Sequence, residues 1–211
     1  MPTPNRPAAT TYRFVALLRG VNVGGNNPIK MSVLRESFAA LGFTDVVTYI
    51  QSGNVVFSST AATTRGLTRR IEASLRAHLG ESAWVLVVSH DELSAIVEQA
   101  PGGFGADPAT YRYDVLFTRE PLTPADVLAE VTLREGVDEA HAGTRALYFR
   151  RLSSRASQSR LPQLVQKPVY KGVTIRNWNT TTKLLAMLRT PCRVTRDHLW
   201  ARSDDGASRP A

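Results

Sequence analysis

The segment DVVTYIQSGNVVFSS, residues 45–59, contains two short runs of β-branched and aromatic residues separated by a polar stretch. Such runs are typical of β-strands. Gly53 lies between them and can adopt the positive φ that a tight turn needs. The segment therefore predicts a hairpin folded about Ser52-Gly53.

The sequence on either side of this hairpin completes a recognisable order of elements. Before it lie a strand-like run, YRFVALLR (12–19), and apolar residues at helical spacing, namely Met31, Leu34, Phe38 and Leu41. After the hairpin, apolar residues again recur at helical spacing, namely Leu67, Ile71, Leu75 and Leu79. A second strand-like run, WVLVV (84–88), follows them. The order strand-helix-strand-strand-helix-strand is that of the ferredoxin-like, or split βαβ, unit. Ser89 and Glu92 then predict the capping box of one further short helix.

The second half of the chain repeats this order after a Pro/Gly-rich stretch. YDVLF (113–117) predicts a strand, and Thr123 is placed to cap a helix. A hairpin is expected around Ala142-Gly143, then a poor helix near Pro162, a strand in GVTIR (172–176) and a last helix. We therefore expect an α+β fold of two tandem ferredoxin-like (split βαβ) units, with antiparallel sheets and helices on one face.

This reading divides the chain into five parts. Residues 1–11 are expected to form a disordered leader, and residues 12–100 the first ferredoxin-like unit with its extra helix. Residues 101–110 are expected to be a linker. Residues 111–189 would form the second unit, and residues 190–211 a loosely held tail.

The composition restricts the class of protein. With 211 residues, 43% of them hydrophobic, the chain is long enough for a globular core. The single cysteine, Cys192, excludes an internal disulfide framework. No apolar run approaches the roughly 20 residues of a membrane span, and no secretory signal is evident. We therefore expect a cytoplasmic protein. The net charge of +8 favours anionic partners, although the arginines are spread along the chain.

A first polar cluster follows from the expected topology. In a ferredoxin-like sheet strands one and three are neighbours, so the end of strand one should lie beside the hairpin tip and the start of helix one. Unpaired N–H groups at a helix start favour anions. The predicted ligand-binding residues here are Arg19, Asn22, Gly24, Gly25, Lys30, Gln51, Ser52 and Asn54. Ordinary turn chemistry explains the Asn and Gly equally well, and no G-x-G-x-x-G motif occurs.

A second polar cluster lies in RNWNTTTK, residues 176–183. Asn179 is placed to cap the last helix, and two cations flank the helix start. The residues of this possible second anion site are Arg176, Asn177, Asn179 and Lys183. Simple helix capping is the alternative interpretation.

Three strings together resemble one known family. RGVNVGGNNPIKM (19–31), LGFTDVVTYIQSGNVVFSS (41–59) and TIRNWNTTTKLLAML (174–188) are similar to the bacterial domain of unknown function (DUF) 1697 family. The resemblance runs from Tyr12 to about Leu188. It implies a compact two-part α+β protein and no known reaction.

The polar strings contain donors and amides and lack an acid or base suited to catalysis. The four histidines lie elsewhere, and no metal-ligand spacing occurs, so neither metal nor cofactor is expected. The sequence therefore predicts binding of a small anionic ligand, such as a phosphate- or carboxylate-bearing metabolite or nucleotide. One alternative is single-stranded nucleic acid, in particular RNA, on the sheet face through Phe14 and Phe57. Another is a ligand-free assembly or adaptor module.

Overall fold

The computed structural model describes residues 10–19, 29–51, 53–61, 63–79 and 83–189. Within these residues the chain forms two four-stranded antiparallel sheets, flanked by α-helices and short 3-10 helices. The fold is therefore of mixed α+β type, as the sequence predicts. In the same ranges, no helix has both the length and the apolar character that crossing a membrane requires.

The first sheet contains the predicted hairpin. Its elements are β1 (Tyr12–Leu18), α1 (Met31–Ala40), β2 (Thr44–Tyr49), β3 (Asn54–Ser59), α2 (Thr64–Leu79) and β4 (Val85–Ser89), followed by α3 (His90–Glu98). The strand order is β2-β3-β1-β4. β2 and β3 pair antiparallel, and Gly53 between them has a φ of 73°. The capping box of Ser89 and Glu92 on α3 is confirmed.

The second sheet repeats the strand order of the first. Its elements are β5 (Tyr111–Thr118), α4 (Pro124–Glu130), β6 (Asp138–Ala142), β7 (Ala146–Leu152), β8 (Val173–Asn177) and α5 (Trp178–Arg189). The order is β6-β7-β5-β8. Where the first half has α2, this half has three 3-10 helices, at Ser153–Gln158, Leu161–Gln166 and Pro168–Gly172. The helix expected near Pro162 is therefore not an α-helix, because two prolines interrupt the segment and favour short turns.

The strand registers place Arg19 and Arg119 at corresponding positions in the two halves. The last residue of β1, Leu18, pairs with Val85, and the last residue of β5, Thr118, pairs with Val173 in the same way. The next N–H groups continue the pattern: Arg19 donates to the Trp84 carbonyl at 3.1 Å, and Arg119 donates to the Gly172 carbonyl at 2.9 Å. In each half an arginine thus directly follows the strand, Arg19 after β1 and Arg119 after β5.

Helices cover both faces of each sheet, so the expectation of helices on one face is wrong. In β1, Phe14, Ala16 and Leu18 pack into a core that includes Leu34 of α1 and Leu67 of α2. The alternate residues of β1 face the other way, into a second core. Because side chains alternate along a strand, an entirely apolar strand such as β1 needs a cover on each side.

The second core joins the two halves. It contains Val15 and Leu17 of β1, Val115 of β5, Ile96 of α3 and Leu184 of α5. α3 and α5 therefore supply the inner cover that both sheets need. A fully buried aliphatic side chain stabilises a fold by about 1.5–3 kcal/mol, so this shared core contributes substantially to stability.

The segment expected to be a linker also packs onto the shared core. Phe104 makes edge-to-face contacts with Trp178, at a centroid distance of 5.2 Å, and with Tyr148, at 5.5 Å. The hydroxyl of Tyr148 donates to the Ile96 carbonyl at 2.5 Å. Segment 101–110 is thus fixed in place where it passes between the halves.

Candidate functional site

The first predicted cluster is only partly within the described ranges. Four of its residues lie outside them, namely Asn22, Gly24, Gly25 and Ser52. The other four are described: Arg19 is half-buried, Lys30 and Gln51 are exposed, and Asn54 is buried. Their ligand-binding roles remain predictions, but the structure shows what Arg19 and Asn54 contact.

Arg19 anchors the end of the 3-10 segment to the first sheet. Its Nη1 donates to the Tyr170 carbonyl at 2.8 Å and to the Lys171 carbonyl at 2.7 Å. The guanidinium also lies over the rings of Trp84, at 4.9 Å, and Tyr170, at 5.6 Å. Burial lowers the pKa of Arg19, and the nearby charge of Arg119 lowers it further. Arg19 forms no salt bridge with a residue that the structure describes.

The two predicted clusters meet through a buried contact between Arg176 and Asn54. Arg176 Nε donates to Asn54 Oδ1 at 2.6 Å, Nη2 donates to the Leu18 carbonyl at 2.7 Å, and Nη1 donates to Thr174 Oγ1 at 3.0 Å. Arg176 is 8% exposed and Asn54 is 0% exposed. Burial lowers the pKa of Arg176 to about 10, so the side chain stays charged at neutral pH. The contact ties β8 of one sheet to β1 and β3 of the other.

The second predicted cluster contains one error in helix capping. α5 begins at Trp178, and the Asn177 side chain accepts a hydrogen bond from the Thr180 N–H at 2.7 Å. The residue that caps α5 is therefore Asn177, and the prediction that Asn179 does so is wrong. The reason is that the helix starts two residues earlier than a cap at Asn179 would place it. Asn179 and Lys183 are exposed on α5.

The structure contains a cleft that the sequence analysis did not predict. It has a volume of about 780 Å³ and lies between α2 of the first half and the end of β5 in the second. Arg145, in the turn between β6 and β7, closes another side. The residues that characterise this arginine cleft are Arg65, Arg69, Leu86, Val87, Arg119 and Arg145.

Carboxylates from the first half hold two of these arginines in place. Arg119 Nη1 lies 2.6 Å from Glu72 Oε1, and Arg145 Nη2 lies 2.8 Å from Glu92 Oε1. Both pairs join the second half of the chain to the first. The guanidinium groups are therefore oriented before any ligand arrives, which reduces the entropic cost of binding.

The other two arginines have no such partner. Arg65 and Arg69 are exposed and form no hydrogen bond or ion pair within the described part of the chain. They lie four residues apart on α2, so their side chains share one face of the helix. Like charges at this spacing destabilise a helix by about 0.2–0.5 kcal/mol. An anion bound between them would remove that repulsion.

α2 also differs from α3 and α4 in the charge of its first turn. α3 has Glu92 and α4 has Asp126 at the capping-box position, where a negative charge suits the positive helix end. α2 has no acidic residue in its first turn and carries Arg65 there instead. This reversal, together with the spacing of Arg65 and Arg69, was the only sequence signal that could have indicated the cleft.

Trp84 connects the arginine cleft to Arg19. The Arg119 guanidinium lies 5.4 Å from the centroid of the Trp84 ring, and the Arg19 guanidinium lies over the same ring. A smaller cavity of about 410 Å³ lies on the Arg19 side and is lined in part by Tyr170 and Lys171. The part of the first predicted cluster at Arg19, called the rim below, and the arginine cleft are therefore neighbouring surfaces.

The groups that line the arginine cleft can form strong hydrogen bonds with anions. In the described ranges, no group of three or more His, Cys, Asp or Glu residues could hold a metal ion. Guanidinium groups do not exchange protons at neutral pH, but they bind carboxylate and phosphate through paired hydrogen bonds. The arginine cleft is therefore suited to holding an anion.

The rings proposed for stacking nucleic-acid bases are inaccessible. Phe14 is 1% exposed and Phe57 is 0% exposed, and the two stack on each other at a centroid distance of 5.7 Å. Both lie in the core beneath α1 and α2. The sheet face therefore cannot bind RNA through these two rings, and this part of the nucleic-acid alternative is wrong.

The chain matches a family model and is similar to a solved structure. The model, described as "Protein of unknown function (DUF1697)", matches residues 11–148, so the string at 174–188 lies outside the match. The solved structure is that of the conserved bacterial protein SP0830 from Streptococcus pneumoniae, at 30% sequence identity and a TM-score of 0.74. The similarity covers 85% of this chain and 100% of that one. A comparison with curated proteins gave no match. The family predicted from the sequence is confirmed, and the chain belongs to the DUF1697 family of proteins of unknown function.

Proposed function

We propose that this protein binds a small anionic metabolite, carrying phosphate or carboxylate, in the arginine cleft. The observation that carries this proposal is the convergence of four arginines, from both halves of the chain, on one cavity of about 780 Å³. Sites for small molecules are typically clefts of about 300–1,000 Å³ with a few well-placed polar groups. The cleft has this size, and its lining is richer in charged and polar residues than that of a typical small-molecule site, as an anionic ligand would require.

The fold supports the same proposal. The proposal includes the organisation of the chain: residues 12–100 and 111–189 act as two ferredoxin-like units joined by residues 101–110, and the ligand binds where they meet. Arg65 and Arg69 come from the first unit, and Arg119 and Arg145 from the second. Neither unit alone would have the complete set of cations.

The rim at Arg19 has a supporting part in this proposal. Arg19 lies over the same indole ring as Arg119, so its charge adds to the positive potential beside the cleft. Neighbouring charges of one sign attract counter-ions and raise the rate of association. The anionic ligand predicted from the sequence is thus retained, and its site moves from the rim to the neighbouring cleft.

Thermal unfolding tests the proposal. The probes are inorganic phosphate, citrate and adenosine 5′-monophosphate, each at constant ionic strength. A probe at a hundred times its Kd stabilises the native state by about 2.7 kcal/mol, which corresponds to a rise in Tm of roughly 5–10 °C for a domain of this size. We expect at least one probe to raise the Tm of the native chain.

Two double variants locate the effect. R65Q/R69Q removes the unpaired cations of the cleft, and we expect it to lose the rise in Tm. R76Q/R189Q is the matched control, since it removes two exposed charges from the last turns of α2 and α5, and it should keep the rise. No rise with any probe, or an equal rise in both double variants, would overturn the proposal.

A further inference from the structure

We infer that the ligand of the arginine cleft is a phosphate monoester attached to an organic body of about nucleoside size. This inference rests on the proposed function and specifies its ligand class. It follows from the different chemistry of three parts of the cleft. These are two arginines that have no carboxylate partner in the described part of the chain, an apolar part of the lining, and the carboxylate of Glu120.

The unpaired cations favour a dianionic group. Arg65 and Arg69 together carry two positive charges on one face of α2, with no carboxylate partner among the described residues. A phosphate monoester carries about −1.5 to −2 at neutral pH and has three acceptor oxygens. It can therefore accept bonds from both guanidinium forks at once. A single carboxylate has two oxygens and one charge, and would leave one of the two arginines uncompensated.

The apolar part of the lining favours an organic body. Leu86 and Pro121 line the cleft beside the arginines, and neither is fully buried. Bare phosphate gains nothing from such a surface, and it would leave most of a cavity of about 780 Å³ empty. A ring or a short carbon chain attached to the phosphate would cover these side chains, at roughly 25 cal/mol for each Å² of apolar surface removed from water.

The single carboxylate limits the charge of that body. Glu120 lines the same cleft, next to Pro121. It repels a second anionic group at that end of the ligand, and it accepts hydrogen bonds from hydroxyl or amino groups. The structure therefore favours a ligand with one anionic end and a neutral end that donates hydrogen bonds.

Isothermal titration calorimetry on the full chain tests this inference with a series of probes. The series is inorganic phosphate, ribose 5-phosphate, adenosine 5′-monophosphate, adenosine and citrate. We expect Kd to fall at least tenfold from inorganic phosphate to the tighter of the two esters. Adenosine, which has the body without the phosphate, should not bind measurably, and citrate should bind at least tenfold more weakly than that ester.

Variants assign the two ends of the ligand. We expect R65Q/R69Q to weaken both esters and inorganic phosphate by at least tenfold. E120Q should weaken the tighter ester severalfold and leave inorganic phosphate within twofold of the native value. R76Q/R189Q, the control, should bind all probes as the native chain does.

The possible failures of the two proposals differ. Equal Kd values for inorganic phosphate and both esters, or citrate binding as tightly as the better ester, would overturn the ligand class and leave anion binding in the cleft intact. Equally tight binding of adenosine and its monophosphate would also overturn it. Absence of Arg65- and Arg69-dependent binding for every anion would overturn both.

Discussion

The guanidinium groups of Arg19 and Arg119 lie over the same indole ring, that of Trp84, at 4.9 and 5.4 Å from its centroid. These two arginines occupy corresponding positions at the ends of β1 and β5. Glu72 pairs with Arg119, whereas Arg19 is held by backbone carbonyls and rings. The ring of Trp84 therefore reduces the cost of placing two like charges near each other where the halves meet.

Replacement of Trp84 tests this arrangement. Cation–π contacts contribute about 0.5–1 kcal/mol each at exposed sites and more when desolvated. We expect W84L to lower the free energy of unfolding by about 1–3 kcal/mol, measured by urea denaturation. W84F, which keeps an aromatic ring, should lose less. An equal loss in both variants would show that the ring face makes no specific contribution.

The contact between Arg176 and Asn54 should behave as a coupled pair. R176M leaves the Leu18 carbonyl and Asn54 Oδ1 without the donor they have now, and each unsatisfied buried group costs about 1–3 kcal/mol. N54A should cost less than R176M, because Arg176 keeps its other acceptors. In a double-mutant cycle we expect a coupling energy of about 0.5–3 kcal/mol. Strict additivity would contradict a direct contact.

The helix cap of α5 provides a matched pair of variants. N177A removes the acceptor for the Thr180 N–H and should cost about 1 kcal/mol. N179A changes an exposed asparagine two residues further along and should cost less than about 0.5 kcal/mol. Denaturant midpoints measure both. A larger loss of stability in N179A than in N177A would show that Asn179 caps α5.

Because the hydroxyl of Tyr148 is buried, we expect the folded chain to lose stability at alkaline pH. Burial raises its pKa from 10.0 to about 12 in the folded chain. Below pH 10 the hydroxyl is protonated in both states. Between about pH 10 and 12 the unfolded chain loses this proton and the folded chain keeps it, so stability falls as pH rises.

Y148F removes this contribution and leaves other titrating groups in place. The Tm of the native chain minus the Tm of Y148F should therefore decrease as the pH rises from 9 to 11. A difference that stays constant over this range would show that the phenol titrates normally.

Glu72 should compete with a ligand for Arg119. The carboxylate lies 2.6 Å from Arg119 Nη1, and it also accepts a hydrogen bond from the Val85 N–H at 3.0 Å. E72Q keeps an acceptor for that N–H and removes the negative charge. We expect it to tighten binding of adenosine 5′-monophosphate severalfold in calorimetry, while R76Q/R189Q shows no change. Weaker binding in E72Q would indicate that orientation of Arg119 matters more than its charge.

The sequence predicted the local elements well because their causes are local. Apolar alternation and Gly53 were sufficient for the hairpin, and Thr123 and Ser89 marked helix starts through their own hydrogen bonds. The 3-10 helices around Pro162 were missed because proline excludes an α-helix without specifying its replacement.

The parts that depend on distant contacts could not be predicted in this way. Arg176 and Asn54 are 122 residues apart, and only the packing of the two sheets brings them together. Arg119 reaches Glu72 across 47 residues. The cleft they adjoin has no linear motif, since its arginines come from one helix and two turns. The polar strings are contiguous in the sequence, whereas the charges of the cleft are scattered along it.

The shared core has a consequence for any attempt to study the halves separately. Val15, Leu17 and Val56 on one sheet and Val115 and Phe117 on the other share a single core with α3 of the first half and α5 of the second. A polypeptide ending near residue 105 would keep α3 but lose α5, and would expose to water the part of its apolar sheet face that α5 covers. Each fragment would then tend to self-associate or to recapture its missing complement, so recovery of the intact molecule from two co-expressed pieces is the outcome that this packing favours.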